Sequence, residues 1–493
     1  MNGFPGAIAP FSMASGEANS PFVAMKPWHR IAAVALIGGC LLWIGGQQLL
    51  HPASTRAIGW VFGALAVNFG LLLVPIIFYR PSYGWFHPLI FGAFFAFLHH
   101  LRRVDVYISG LQWHAALPGW STDSLTLLLA QDLGLQSLAL LAFYGGFWLS
   151  PSLGIPPLQF HQPRRLGAKV LATVLFSAGV FGAYMQTRGG VVNHVLSWGA
   201  GRNQALAGGF YWQFFTQMGQ IACLSWLTMD RRAIANPMFW GCAGVSLGMT
   251  FLAGGSRSSV IYVMIMGILA WLLRERKMAL TPILGMAVLG LFIMGVLGAF
   301  RASTFEGEIN WNVLRGAMPG AGTGDTAIGA SLAEVSERSS VFAGVFPILA
   351  LVPDQVDFLH GSSYMALLTL PIPRALWAGK PGLIAGRVGE TFFNTPVGMP
   401  PGAVGEAYWN FGLPGILIVF VLFGIFTRWF ADVFANYTHK PAAVVPYIIT
   451  LFMLPDPSGI TIIAWLMMLV PTFIFMMAIG AIGFQKNPQS KPL

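Results

Sequence analysis

A cationic stretch rich in Pro and Gly lies late in the chain, PIPRALWAGKPGLIAGRVGETFFNTPVGMPPG at residues 371–402. It carries Arg374, Lys380 and Arg387, and its Pro and Gly content rules out one continuous helix. A guanidinium group matches phosphate oxygens in a bidentate manner and stays charged at any relevant pH. The residue types therefore predict a loop that binds an anion.

Three more arginines extend this pattern. Arg188 and Arg202 flank the segment RGGVVNHVLSWGAGR, and Arg257 lies in GGSRSS. Any single one of them can equally be an interfacial arginine that reaches for lipid headgroups. The set as a whole, which shares its loops with Gly, Trp and acidic residues, favours an anion site at one membrane face.

The composition defines the elements that must position these cations. Of the 493 residues, 56% are hydrophobic and 9% charged, against about 25% charged in soluble domains. The mean hydropathy is +0.68. This predicts an all-α, polytopic membrane protein. The net charge of +10 is spread over short loops, as the positive-inside rule requires, so we expect no nucleic-acid partner.

Apolar runs of about 20 residues predict about twelve transmembrane helices. We place them at 31–50, 58–79, 85–104, 124–148, 168–187, 210–229, 236–254, 259–274, 279–300, 412–430, 441–455 and 459–483. Basic residues in the short loops orient both termini toward the cytoplasm.

The domain organisation follows from these spans. We expect a disordered tail at 1–25 and one transmembrane domain at 26–493, with the active site in two large outer loops, 188–209 and 301–411. The second loop holds nine of the 17 acidic residues. Two short helices are predicted within it, a capped amphipathic one in TGDTAIGASLAEVSER and an interfacial or re-entrant one at 341–352.

Other candidate groups leave alternatives open. Asp132 and Gln136 lie one turn apart within a span, where an acid is functional by default unless it pairs with His99, His100 or Arg102. Asp354 and Asp357 would share a face and could chelate a metal if that segment were helical. Cys40, Cys223 and Cys242 fall in apolar runs and indicate no metal site.

The loop motifs resemble those of bacterial O-antigen and exopolysaccharide repeat-unit polymerases. The resemblance rests on PIPRALWAGKPG, on GEAYWNFGLPGILI entering a helix, and on GGSRSS opening a helix. These polymerases also tend to carry Arg-x10-Gly in two periplasmic loops. Here Arg188 is followed by Gly199, and Arg387 by Gly398. The resemblance covers mainly residues 188–202, 250–260 and 357–430.

The resemblance implies a fold, a reaction and partners. The fold would be glycosyltransferase C-like, in the bacterial inner membrane. The reaction would move a glycan from undecaprenyl diphosphate onto a second lipid-linked oligosaccharide at the periplasmic face. Membrane lipids and a chain-length regulator are the other implied partners. Arginines can stabilise the leaving diphosphate, so no metal or cofactor is expected.

The same resemblance assigns roles to residues. Arg374 would stabilise the leaving group, and either Glu406 or His360 would act as general base, with Glu390, Asp354 and Asp357 as further acids in the loop. Glu406 would be held ionised at a helix start. The diphosphate and glycan would contact the remaining candidates, which are Arg188, Arg202, Arg257, Lys380, Arg387, Trp377 and Tyr408. The aromatic residues among them have interfacial anchoring as the alternative role.

Two other functions stay open. An O-antigen ligase shares the architecture and donor, and His360 with Ser362 fits the start of its motif, but Ile372 stands where that motif has Gly. A lipid-linked oligosaccharide flippase would be built from repeated halves with helices broken at the midplane. The concentration of polar residues outside the predicted spans favours catalysis at the surface.

Overall fold

The structure, a computed structural model, describes 25–50, 57–79, 84–101, 103–109, 120–151, 153–154, 157–198, 209–255, 257–275, 280–303, 344–369, 372, 376–377, 379–395, 398–437 and 440–484. The helices of the first half are α1 (Pro27–Leu50), α2 (Ile58–Phe78), α3 (Pro88–Leu101), α4 (Val104–Ser109), α5 (Thr122–Leu149), α6 (Leu166–Thr187), α7 (Val191–Leu196), α8 (Phe210–Thr216) and α9 (Met218–Met229). Those of the second half are α10 (Pro237–Gly254), α11 (Arg257–Glu275), α12 (Leu280–Ser303), α13 (Val345–Leu351), α14 (Ser362–Thr369), α15 (Ile384–Phe393), α16 (Gly402–Tyr437), α17 (Val444–Met453) and α18 (Gly459–Ala478). The predicted tail and the predicted amphipathic helix lie outside these residues, except for Met25.

Seven of the described helices are long and apolar enough to cross a membrane, namely α1, α2, α5, α6, α10, α16 and α18. This confirms the helical membrane class, while the number twelve stays a prediction. The span predicted at 210–229 is divided into α8 and α9 at Gln217, which keeps right-handed helical angles (φ −71°, ψ −18°). The span predicted at 441–455 contains the 10-residue helix α17.

The last span was predicted to end at residue 483, and that end is wrong. Helix α18 ends at Ala478, and Gly480 turns the chain with φ 73°. The next residues form β2 (Ile482–Phe484), antiparallel to β1 (Leu158–Phe160). Glycine adopts this positive φ without steric cost, so the chain leaves the helix there even though apolar residues continue.

Helices α5 and α16 approach so closely that only glycine fits at their crossing. A Cβ added at Gly146 would lie 2.1 Å from the carbonyl oxygen of Val421. A Cβ added at Gly424 would lie 2.2 Å from the carbonyl oxygen of Phe143. Small residues allow membrane helices to pack backbone to backbone, which compensates for the lack of a hydrophobic driving force between them in lipid. This crossing holds α16, which carries the candidate site.

The acid predicted inside the fourth span is paired. Arg103 Nη1 donates to Asp132 Oδ2 at 3.1 Å, and Gln136 Nε2 donates to the same oxygen at 2.8 Å. The partner among the described residues is therefore Arg103, which the sequence did not single out, while the predicted Arg102 lies outside those residues. His100 instead bonds Asn68 and Tyr107 in the same helical core. A satisfied ion pair favours the structural role for Asp132.

Contacts at one end of α6 and α18 fix their relative direction. Lys169 Nζ, near the start of α6, donates to the carbonyl oxygen of Ile479, just after α18, at 2.7 Å. The pairing of β1 with β2 lies at the same end. Both helices are long enough to span, so Arg188, which follows α6, and Gly459, which begins α18, lie toward the opposite face.

Candidate functional site

The site is built around a break in α16. Phe411 (φ −147°, ψ 15°) and Gly412 (φ 65°, ψ −148°) have non-helical angles, so Gly402–Asn410 is separated from the longer apolar part that ends at Tyr437. The conformation of Gly412 is one that side-chain-bearing residues rarely adopt. Pro414 follows and removes one backbone donor from the ladder. The local sequence FGLP thus explains the break.

A loop segment satisfies carbonyl groups that the break leaves open. Leu359 N–H donates to the oxygen of Trp409 at 2.9 Å, and His360 N–H donates to that of Asn410 at 3.2 Å. His360 and Gly361 both have positive φ, which turns the chain at this point. Unpaired carbonyls at a helix end need such partners, so the break positions the His360 loop against the short helix.

Glu406 is the centre of the polar cluster. Its side chain is 0% exposed. Ser363 Oγ donates to Oε1 at 2.8 Å, and the backbone N–H of Gly459 donates to Oε2 at 2.7 Å. Glu406 lies inside α16, so the prediction that its own helix start holds it is wrong. The amide end of α18 supplies that interaction.

Asn410, one turn after Glu406, connects the pieces. Its Nδ2 donates to Ser363 Oγ and to the carbonyl oxygen of Glu406, at 2.8 Å and 2.7 Å. Its Oδ1 accepts the N–H of Gly361 at 2.9 Å. Asn410 is 0% exposed, so its bonds to Gly361 and Ser363 fix that segment relative to α16.

Arg387 joins the cluster from α15. Its Nη1 donates to Ser362 Oγ at 2.7 Å. Ser362 directly precedes Ser363, which bonds Glu406, so Arg387 and the buried carboxylate bond adjacent serines. The structure therefore brings three predicted residues, His360, Arg387 and Glu406, to one place.

A cavity of about 950 Å³ extends from this cluster along α16. Its walls are mostly apolar and come from the long part of α16, from the loop after α17 and from α18, including Ile418, Leu422, Phe426 and Trp465. Ile418 and Leu422 are 58% and 59% exposed, so the cavity opens sideways. His360, Tyr364 and Asn410 line it as well. One compartment thus combines an apolar channel with a polar end.

Tyr364 and Asp456 were missed by the sequence reasoning and belong to that end. Burial, with the negative charges of Glu406 and Asp456, raises the pKa of Tyr364, so its hydroxyl keeps its proton. Asp456 Oδ1 accepts Ser458 N–H and Thr461 Oγ1–H, both at 3.0 Å. The signals available were the polar run HGSSY and the turn DPSG between two apolar runs.

Arg188 belongs to a different cluster. Its guanidinium lies 5.2 Å from the ring centre of Tyr184. His194 and Trp198 complete the cluster, with ring centres 5.8 Å apart. Burial lowers the pKa of His194, and the charge of Arg188 lowers it further. This cluster lies toward the same face as Glu406, because α6 and α18 run antiparallel and Glu406 bonds the start of α18.

The other predicted residues are placed as follows. Lys380 Nζ donates to the carbonyl oxygen of Ile372 at 3.0 Å, and Trp377 is 43% exposed in the same turn. Tyr408 is half-buried against two core clusters. Arg257 begins α11, as GGSRSS predicted, and Arg202 and Arg374 lie outside the described residues.

Asp354 and Asp357 are the acids of the large loop that were predicted as possible metal ligands. Asp354 is exposed in a turn and Asp357 is exposed in an irregular segment, so the helical face they would have shared is not formed. Within the described part of the chain, no group of three or more His, Cys, Asp or Glu side chains is arranged to hold a metal ion.

Comparison with protein-family models, with curated proteins and with solved structures finds no match for this chain. The fold and site alone therefore define the class: a helical membrane protein whose apolar cavity ends in a cluster of buried polar groups.

Proposed function

We propose that this protein polymerises lipid-linked oligosaccharide repeat units at the outer face of the bacterial inner membrane. The observation that carries the proposal is the cavity of about 950 Å³, apolar along its length and bordered by His360, Tyr364 and Asn410 at one end. Its volume lies at the upper end of ligand sites, about 300–1,000 Å³. Such a compartment suits a polyprenyl chain whose charged head reaches the polar end.

In this reaction an acceptor hydroxyl oxygen attacks the anomeric carbon of the donor sugar. The bond between that carbon and the phosphate oxygen breaks, and the lipid diphosphate leaves with the electron pair. Arg387, next to the polar end, is positioned to stabilise the charge that develops on the diphosphate. Arg374 and Lys380, from the same loop, are the further cations that we assign to this role.

The hydroxyl proton goes to a base, and we assign this role to His360. It is exposed and lines the cavity, whereas Glu406 is fully buried and accepts two hydrogen bonds. Glu406 then acts as the group that fixes Ser363 and the start of α18. Arg188 would hold the acceptor lipid on the same face, with Trp377 and Tyr408 near the sugars.

Purified protein in liposomes, supplied with an undecaprenyl diphosphate oligosaccharide, tests the proposal. We expect products that grow by whole repeat units, measured by mass spectrometry. Adding lipid A core as a second acceptor distinguishes the ligase, which would label that core and make no ladder. Absence of both products with every donor tried would refute a transferase.

One observation favours a flippase as the second candidate. The segment 210–229 is divided into α8 and α9 at Gln217, and in the part of the chain that the structure describes Gln217 Oε1 and Gln220 Nε2 are buried without a hydrogen-bond partner. Polar groups left open inside a membrane segment are typical of transport pathways. The same liposomes separate the two functions, because a flippase moves the lipid between leaflets without lengthening its glycan.

A further inference from the structure

The hydroxyl of Tyr364 has no partner although it is buried. Its oxygen is shielded from solvent, and no hydrogen bond to it is formed among the described residues. The residue also lines the large cavity. A buried hydroxyl without a partner costs free energy, so such groups need a specific explanation. A ligand in the cavity would supply the missing hydrogen bond.

The surroundings of Tyr364 are acidic on two sides. Its neighbour Ser363 bonds the Glu406 carboxylate. Asp456 lies between Leu454 and Pro457, which both line the cavity. The known cation of this cluster, Arg387, bonds Ser362, on the other side of Ser363. The cluster therefore has a cationic side and an acidic side.

We propose that the acidic side, formed by Tyr364 and Asp456, binds an uncharged sugar of the lipid-linked substrate and discriminates against an acidic one. The Tyr364 hydroxyl donates to an oxygen of the sugar, and the Asp456 carboxylate accepts from a sugar hydroxyl. A uronic acid placed there would bring a third negative charge beside Glu406 and Asp456, where solvent screens it little. Both residues are specificity-determining, and neither takes part in bond breaking.

This inference rests on the proposed function, because it presumes that the cavity takes a polyprenyl diphosphate. Direct binding to the full-length protein in nanodiscs tests it without relying on turnover. Three radiolabelled probes are compared: bare undecaprenyl diphosphate, the same lipid carrying glucose, and the same lipid carrying glucuronic acid. We expect the glucose form to bind at least about tenfold more tightly than the glucuronate form.

Two variants make the assignment specific. Tyr364→Phe removes one oxygen and should reduce the advantage of the glucose lipid over the bare lipid roughly three- to tenfold. Asp456→Asn keeps an acceptor for Ser458 and Thr461 and should shrink the discrimination against glucuronate. Binding of the bare lipid is measured for each variant and is the reference against which both ratios are expressed. Tyr262→Phe, on a tyrosine that is 41% exposed on α11, is the control and should change none of these ratios.

The outcomes separate the sugar-site inference from the polymerase proposal. Equal binding of the glucose and glucuronate lipids by the unaltered protein overturns the inference. So do unchanged ratios in Tyr364→Phe and Asp456→Asn, as expected if a water molecule satisfies the hydroxyl. If the ratios change as stated but no polymer forms, the sugar site stands and the polymerase proposal fails. If bare undecaprenyl diphosphate does not bind, both fall together.

Discussion

Arg387 is the residue at which the charge requirement can be tested most directly. It bonds Ser362 beside the cavity end, and the proposed leaving group is a diphosphate. Arg387→Ala should lower the rate of polymer formation by at least about a hundredfold, because one preorganised donor is lost. Arg387→Lys should restore little, since a point charge does not reproduce the planar fork. Product ladders from proteoliposomes measure the rate.

The control for this change is Arg231→Ala. Arg231 is exposed in the turn between α9 and α10, and its loss should leave both insertion and rate unchanged. A normal ladder from Arg387→Ala, at matched amounts of inserted protein, would remove Arg387 from the site.

Glu406 tests the distinction between an organising group and a base. In Glu406→Gln the side chain keeps its shape, but its NH₂ must face either the Ser363 hydroxyl or the Gly459 N–H. In the unaltered protein both groups donate a hydrogen bond to the Glu406 carboxylate. We expect a loss of about 1–3 kcal/mol in unfolding free energy, seen as a lower midpoint of thermal unfolding in detergent, with reduced activity. An unchanged midpoint with complete loss of activity would instead make Glu406 the proton acceptor.

Metal removal is a separate test at the residue scale. Asp354 and Asp357 are exposed and not helical, and the proposed stabilisation of the diphosphate comes from cations of the chain. Polymer formation should therefore survive excess EDTA. Loss in chelator, with rescue by Mg²⁺ or Mn²⁺ but not by buffer alone, would make these two acids the ligands of a divalent ion.

At the scale of elements, the crossing of α5 and α16 positions the site. Gly146→Ala would place a methyl group 2.1 Å from the oxygen of Val421, so the helices must separate. We expect a lower midpoint of thermal unfolding and a reduced rate of polymer formation, since α16 carries Glu406 and Asn410. The measurement is unfolding in detergent, followed by the liposome assay.

The adjacent glycine is a matched control. A Cβ at Gly145 would meet nothing within 4 Å, so Gly145→Ala should keep or slightly raise the midpoint, because alanine is the better helix former. Equal midpoints for the two variants would show that the crossing has little effect on stability.

The elements could be predicted from the sequence to different extents. Long apolar runs identified the seven long apolar helices because twenty such residues have few alternatives to crossing a membrane. The span predicted at 412–430 begins at the break, but the helical segment Gly402–Asn410 before it was predicted as loop, because its residues are too few and too polar to span. The FGLP sequence was the available signal, but its effect depends on a distant segment at 359–360 that bonds the open carbonyls.

The candidate site could be predicted only as a set of residue types. His360, Arg387 and Glu406 were found because charged residues are rare in this chain. Their connections were not, because Ser363 and Gly459 are 43 and 53 positions away from Glu406. No local pattern records such pairings. The need for glycine at position 459 is one such pairing, since an added Cβ there would lie 2.9 Å from Glu406 Oε1.

At the scale of the whole molecule, the proposal requires the two large loops to share one side of the membrane. The antiparallel directions of α6 and α18 place Arg188 and Gly459 at the same end. The orientation relative to the cell follows only from the basic residues of the short loops. The structure therefore places Arg188 and Gly459 at one end, and the charge pattern predicts that this end faces the periplasm.

Single cysteines in a background without Cys40, Cys223 and Cys242 test which side of the membrane each loop faces. Val192→Cys and Gln355→Cys, both at exposed positions, should react with an impermeant thiol reagent in whole spheroplasts. Gln159→Cys, exposed on β1 at the opposite face, should react only after the membrane is opened. Labelling is read as a mass shift of the purified protein.

If positions 192 and 355 react from opposite sides, Arg188 and Arg387 cannot serve one lipid substrate, because a bilayer of about 30 Å then separates them. If position 159 reacts in whole spheroplasts and positions 192 and 355 react only in opened membranes, the chain is inverted and a periplasmic polymerase is ruled out.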